Sequence, residues 1–180
     1  SGNEFYGEYF DLSTSYSFNY PIPNLVAGDT VNALVKLAAR SSSGSNYSFS
    51  YSGTSVTFTA GSVIINDYLG DYVSIATNCS KAVCNSSNSL NFNINKISTS
   101  AVAWLDKIIF NTRRNLTFNN SQFLFRDSRT IGTGTITQFN LNTNGFTNIS
   151  IWDITNPIDA YNIQFNQTGN NIDYVFSNDS

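Results

Sequence analysis

The strongest constraint on this chain is a period-two alternation of apolar and polar residues that returns in short runs along its length. Val31, Ala33, Val35, Leu37 and Ala39 share one side of a run whose other side holds Asn32, Lys36 and Arg40, with Leu34 the apolar exception. Tyr47, Phe49 and Tyr51 alternate with Ser48 and Ser50, then Val56, Phe58 and Ala60 with Thr57 and Thr59. Leu90, Phe92 and Ile94 alternate with Asn91, Asn93 and Asn95. Successive side chains of a strand point to opposite faces, so each run reads as a half-buried strand.

Turn formers punctuate the runs. Pro21-Ile22-Pro23-Asn24 marks a bend, and Gly28-Asp29 leads into the strand at Val31. Ser52-Gly53-Thr54-Ser55 joins two alternating runs, the signature of an antiparallel hairpin. Leu116-Thr117-Phe118, Asn119-Asn120 and Phe123-Leu124-Phe125 suggest a second hairpin. Further strands are expected at 136–141, 149–155, 161–165 and 172–176. Such spacing belongs to a β-sandwich or barrel. The fold expected is all-β: an antiparallel β-sandwich, jelly-roll-like, forming a single domain over residues 1–180. No fixed-period repeat and no shift in composition divides the chain.

One segment is ambiguous. Ala101, Trp104, Leu105, Ile108, Ile109 and Thr112 fall on a helical stripe, which favours a helix. The β-rich surroundings and the Ile108-Ile109-Phe110 run favour a strand buried on both faces. The strand is the reading adopted.

Chemistry is mostly excluded. Charged residues make up 12% of the chain, so solubility falls to neutral polar side chains; about one residue in seven is Asn. Nine Lys and Arg spread over a chain of net charge -3 leave no basic face for nucleic acid. No apolar run is long enough to cross a bilayer as a helix. The absence of His removes Ser-His-Asp and Cys-His catalysis and the commonest metal ligand. No cofactor is expected. Glu4, Glu8 and Asp11 read as an exposed polar segment, and Asp67 and Asp71 do not make a calcium loop, although a surface calcium stays open. Cys79 and Cys84 read as a disulfide closing a short loop, against the alternative of two reduced thiols.

Aromatic side chains are candidates for stacking on sugar rings, namely Tyr68, Tyr72, Trp104, Trp152 and Tyr161. Core packing is the simpler reading of each. Trp152 shares a strand face with Ile154, which predicts its burial. Asp153 alternates outward with Ile149 and Ile151 and would cap the turn into Asn156-Pro157.

Three ordered segments resemble the region upstream of the peptidase domain in PorU-like sortases of the type IX secretion system of Bacteroidetes, which are gingipain-related cysteine peptidases. They are Trp104-Leu105-Asp106-Lys107-Ile108 with Arg113-Arg114, then Phe123-Leu124-Phe125-Arg126, then Trp152-Asp153-Ile154-Thr155-Asn156-Pro157. The resemblance implies structural roles for Trp104, Asp106, Arg113, Arg126, Trp152, Asp153 and Pro157. It places the nucleophilic Cys and its His in a later domain, so neither Cys79 nor Cys84 inherits that role. It implies a fragment of a larger exported protein, periplasm-facing or at the cell surface of the outer membrane, without membrane insertion. The partners implied are a downstream peptidase domain and other secretion-system or cargo proteins. A carbohydrate-binding module and an inhibitory pro-domain are the alternatives.

Overall fold

The computed structural model describes residues 5–119, 121–130, 132 and 134–178. Glu4 and Asn120 lie outside them. The described residues form strands, loops and one 3-10 turn, with no α-helix. Where one sandwich over 1–180 was expected, the chain gathers into two compact units, Ser1–Arg114 and Asn115–Ser180.

Unit 1 contains β1 (Tyr9–Phe10), β2 (Ser15–Pro21), β3 (Thr30–Arg40), β4 (Ser45–Tyr51), β5 (Thr54–Ala60), β6 (Ser74–Val83), β7 (Ser89–Lys96) and β8 (Val102–Asn111). They build two four-stranded sheets, ordered β1-β8-β3-β6 and β2-β7-β4-β5. Every pairing in them is antiparallel. First pairs with eighth, second with seventh, third with sixth and fourth with fifth: a long hairpin rolled up on itself, which is the jelly roll. Its tip is Ser52-Gly53, where φ is 46° and 76°. Two successive residues with positive φ are what a two-residue hairpin turn of type I′ requires, and the glycine takes the second at no steric cost.

The two inner faces are unequal. The β2-β7-β4-β5 sheet turns in Phe18, Tyr47, Phe49, Tyr51, Phe58 and Phe92. Facing them, the other sheet offers Ala33, Ala39, Ala76, Ala82 and Ala103 between Val31, Val35, Leu37 and Leu105. Large rings against small methyls let two sheets interdigitate without voids. Ring centroids of Phe49, Phe92 and Phe110 approach to 6.3, 6.2 and 5.2 Å in the three pairs. The outer face of the aromatic sheet is neutral and polar. There Asn93 Nδ2 donates to Ser17 Oγ at 2.7 Å and Ser15 Oγ at 3.1 Å, and Asn95 Nδ2 to Ser48 Oγ at 3.1 Å. Cross-strand amide–hydroxyl pairs of this kind do the work that ion pairs do on a charged sheet.

The ambiguous segment 101–112 contains a strand, β8, and the pairing explains the helical stripe in the sequence. Lys36 pairs with Lys107 and Leu37 with Leu105, so Asp106 is the extra residue of a β-bulge. Before it, Ala101, Ala103 and Leu105 face the core; after it, Ile108 and Phe110 do. One inserted residue shifts the alternation by one and imitates a 3.6-residue period.

Lys96 is buried in unit 1. Its ammonium donates to the carbonyls of Asp11 and Ala101, each at 2.7 Å, and so ties two loops to the end of β7.

Unit 2 contains β9 (Leu116–Thr117), β10 (Thr135–Asn142), β11 (Ile151–Asp153), β12 (Tyr161–Ile163), β13 (Asn166–Thr168) and β14 (Asn171–Asn178). The sheet order is β13-β14-β10-β9, and β11 and β12 form a separate ribbon. The hairpin expected across 116–125 is absent among the described residues. Instead β9 runs parallel to β10, pairing Leu116 with Leu141. Phe123 and Phe125 enter a chain of rings with Phe118, Phe139 and Tyr174, at centroid distances of 5.3–6.5 Å. Burial of the rings won over strand pairing. The cluster's buried members are Leu141, Ile151, Ile172 and Tyr174.

Candidate functional site

Of the residues that carried the sequence resemblance, Asp106, Arg113 and Arg114 hold parts of unit 1 together. Asp106, on the bulge, accepts an ion pair from Lys36 Nζ at 2.8 Å, with 9% of its side chain exposed. Arg113 pairs with Asp29 at 3.6 Å. Arg114 Nε donates to the Pro23 carbonyl at 2.8 Å, and Val26 N to the Arg113 carbonyl at 3.0 Å. The two arginines therefore clasp the connection between β2 and β3. Trp104 lies on the outer face of its sheet, half-buried, stacked on its cross-strand neighbour Tyr9 at 5.3 Å. Arg126 is exposed.

Core packing fails at Tyr68, Tyr72, Trp152 and Tyr161, all of them exposed, and the expected disulfide is absent. Trp152 was expected in the core and is 57% exposed, with Ile154 at 48%. The ribbon buries one face only, and the Ile151–Ile163 cross-strand pair takes it, turning Trp152 outward. Cys79 and Cys84 are not bridged: Cys79 is exposed and Cys84 buried. Cys79 sits inside β6, and Cys84 just beyond its end. Five residues of extended chain span roughly 16 Å and reverse the face, whereas a disulfide needs Cα atoms within about 7 Å. Cys84 Sγ instead contacts the Ser86 carbonyl at 3.0 Å.

Asp153 caps the following turn as expected. Its Oδ1 accepts from Thr155 N at 2.8 Å and its Oδ2 from the Tyr161 hydroxyl at 3.0 Å. Partial desolvation acts to raise the carboxyl, but these hydrogen bonds outweigh it and hold Asp153 below its ordinary range. Asn156 Oδ1 accepts from Ile158 N at 3.2 Å and carries the turn past Pro157. Tyr161 faces Asp153 across the ribbon, so Tyr161 and Trp152 lie on opposite faces and do not form one stacking platform.

Among the described residues no group of three or more His, Cys, Asp or Glu could hold a metal ion. Nor do those residues contain a helix long and apolar enough to cross a membrane. The feature that stands out instead is the long connection between β5 and β6, residues 61–73. It exposes Ile64 at 73%, Tyr68 at 98%, Leu69 at 100% and Tyr72 at 66%. Arg40 holds it from below, donating to the Ile65 carbonyl at 2.7 Å and the Tyr72 carbonyl at 2.9 Å. Tyr68 and Tyr72 were singled out from the sequence, but Leu69 and the anchoring Arg40 were not. The readable signal was Ile64-Ile65 and Tyr68-Leu69, apolar pairs that break the alternation between turn residues.

No protein-family model matches the sequence. No curated protein matches it either. A solved structure does: dimeric latent PorU from Porphyromonas gingivalis superimposes with a TM-score of 0.76 over 98% of this chain. The chain has the fold of a segment of PorU. Identity is 19%, and the chain spans 17% of the length of that PorU chain. The match takes in both units, so the PorU-like fold extends beyond the jelly roll into unit 2. A sugar-binding protein, the EclA C-terminal domain, aligns at a TM-score of 0.38 and 14% identity over 62% of this chain and 86% of that domain. A likeness that low carries no argument.

Proposed function

We propose that this chain is a non-catalytic docking module upstream of a gingipain-like cysteine peptidase, a type IX secretion sortase acting in surface protein secretion. The PorU-like fold over 98% of the chain is the observation that supports it most. The chemistry is consistent: the sequence has no His, and its two thiols lie on opposite faces of one extended segment. In this reading the partners are the downstream peptidase domain and other secretion-system or cargo proteins, met at the outer membrane. The work of the module is binding, and the ion pairs of Asp106 and Arg113 keep its surfaces in place. In-frame removal of residues 1–180 from the native polypeptide tests this. The expected outcome is a peptidase that still cleaves a short peptide but no longer co-purifies with its outer-membrane partners. Loss of cleavage with retained co-purification would count against it.

The exposed Trp152, with Ile154 beside it on the outer face of the ribbon, favours carbohydrate binding as the second reading. It requires polysaccharide retention that disappears in Trp152→Ala while the melting temperature holds.

A further inference from the structure

Residues 61–73 form a long loop with no strand or helix of its own, a length at which loops in packed domains usually have a task. Its tip breaks the rule that apolar side chains cluster away from water. Tyr68 and Leu69 are adjacent, 98% and 100% exposed, and Ile64 and Tyr72 flank them. The tip is nevertheless held in shape. Asp67 N donates to the Ile64 carbonyl at 3.1 Å, and Leu69 N to Asp67 Oδ1 at 2.9 Å, closing a turn beneath the tip. Val63 N is tied to the Ser41 carbonyl at 2.8 Å. Arg40 forks onto two loop carbonyls, and its guanidinium lies 4.1 Å from the centroid of the Tyr72 ring. An apolar projection already fixed in one shape loses little entropy on binding.

The charge on the loop decides between occupants. Its ionisable acids are Asp67 and Asp71, it has no Lys or Arg, and among the described residues neither carboxylate is in an ion pair. Arg40 directs its donors to carbonyls. Carboxylates beside an apolar tip are repelled by an anionic lipid surface, which draws in basic segments instead. They complement a protein surface in which Lys or Arg surrounds an apolar cleft.

We infer that the 61–73 loop is the docking element of this module and that it inserts Tyr68 and Leu69 into an apolar cleft, rimmed by Lys or Arg, on a protein partner. This rests on the docking reading above and names its surface.

The test is photo-crosslinking in the full native polypeptide in its own cells, with a benzophenone amino acid at position 68 and, as a control, at the exposed outer-face position 57. The expected result is a protein adduct from 68 and none from 57, with the linked peptide apolar and within a few residues of Lys or Arg. With that partner purified, Leu69→Ser should weaken binding by about thirtyfold, as loss of a central anchor does. Asp67→Asn with Asp71→Asn should weaken it less and flatten its salt dependence. Both variants should keep the wild-type melting temperature, since Leu69 and Asp71 face solvent and an amide oxygen at position 67 still accepts from Leu69 N. A protein adduct from 57 but not 68 overturns the inference and leaves the docking reading standing. Lipid adducts from 68 overturn it in favour of a membrane contact. Adducts from neither position, with no partner co-purifying, remove both.

Discussion

The two units solve the same problem, a β core with few charges, to different depths. In unit 1 two sheets close over each other, and Phe10, Val35, Leu37, Tyr47, Phe49 and Ile94 are each at 0% exposure. In unit 2 one sheet and a short ribbon enclose four buried apolar side chains, and the apolar residues packed around them, mostly rings, are left half-buried. Aromatic content does not account for the difference, since both units are rich in Phe and Tyr. What unit 1 has and unit 2 lacks is an opposing sheet of alanines for the rings to sink into. Complementary volumes across a gap seal a core, and a row of rings touching edge to edge does not.

That comparison is most exposed at single rings. Phe49→Ala should cost about 3–5 kcal/mol, because the ring is fully buried among Tyr51, Phe92 and Phe110. Phe123→Ala, at a half-buried ring of unit 2, should cost less than half as much. Chemical denaturation of both variants checks this, and equal losses would break the comparison.

Lys96 sharpens it further. Lys96→Ala strips the donors from two loop carbonyls and should cost about 1–3 kcal/mol for each group left unsatisfied. Hydrogen exchange should show the opening confined to unit 1, around residues 11–14 and 97–101.

Alkaline pH probes both units through one phenol each. Burial raises the Tyr47 hydroxyl above 10.0, although the Ser45 contact opposes this, and burial pushes that of Tyr174 well above 10.0. A phenol whose folded pKa is raised contributes stability that is complete below the unfolded value. It is lost as pH rises from 10.0 through the folded value. Stability should therefore fall above about pH 10. Tyr174→Phe should remove the part of that loss reported by unit 2 amides and leave the part from unit 1.

Smaller still is the ribbon's acid response. The Asp153 carboxyl is held below its ordinary 3.8, so its contribution is present above that value and fades as pH falls through the lower folded one. Its setting is mostly solvent, and screening keeps Asp153→Asn to under about 1 kcal/mol. At the bottom of the scale, a reductant should leave the melting curve unchanged, since Cys79 and Cys84 are both free.

How much of this could be read from residues tracks the range of the interaction. Alternation is local, and it placed β3, β4, β5 and β7 with the correct faces inward and located β10 and β14 as spans. It did not find β6, whose Ala76, Asn78, Ser80 and Ala82 carry too little apolar contrast; the thiol spacing there looked like a loop instead. The jelly-roll order depends on pairings such as Tyr9 with Trp104, which join distant parts of the chain and leave no local mark. The bulge at Asp106 hid the parity of β8 for a related reason, because it is defined only by the partner strand. At Trp152 the error was one of face: Ile154 on the same side suggested an inward face, but the Ile151–Ile163 pair holds that face and Trp152 and Ile154 look outward. The 61–73 loop was marked in the sequence by Tyr68 and Tyr72, read there as core rings although both are exposed, and its anchoring by Arg40 left no local sign.

The central claim, a docking module of a larger peptidase, is tested most directly by the mass and peptide coverage of the native polypeptide from outer-membrane fractions. The account predicts a product several times the 19.8 kDa of this chain, with peptides from a Cys- and His-bearing domain beyond residue 180. A free native product of about that mass, with no downstream peptides, would contradict it.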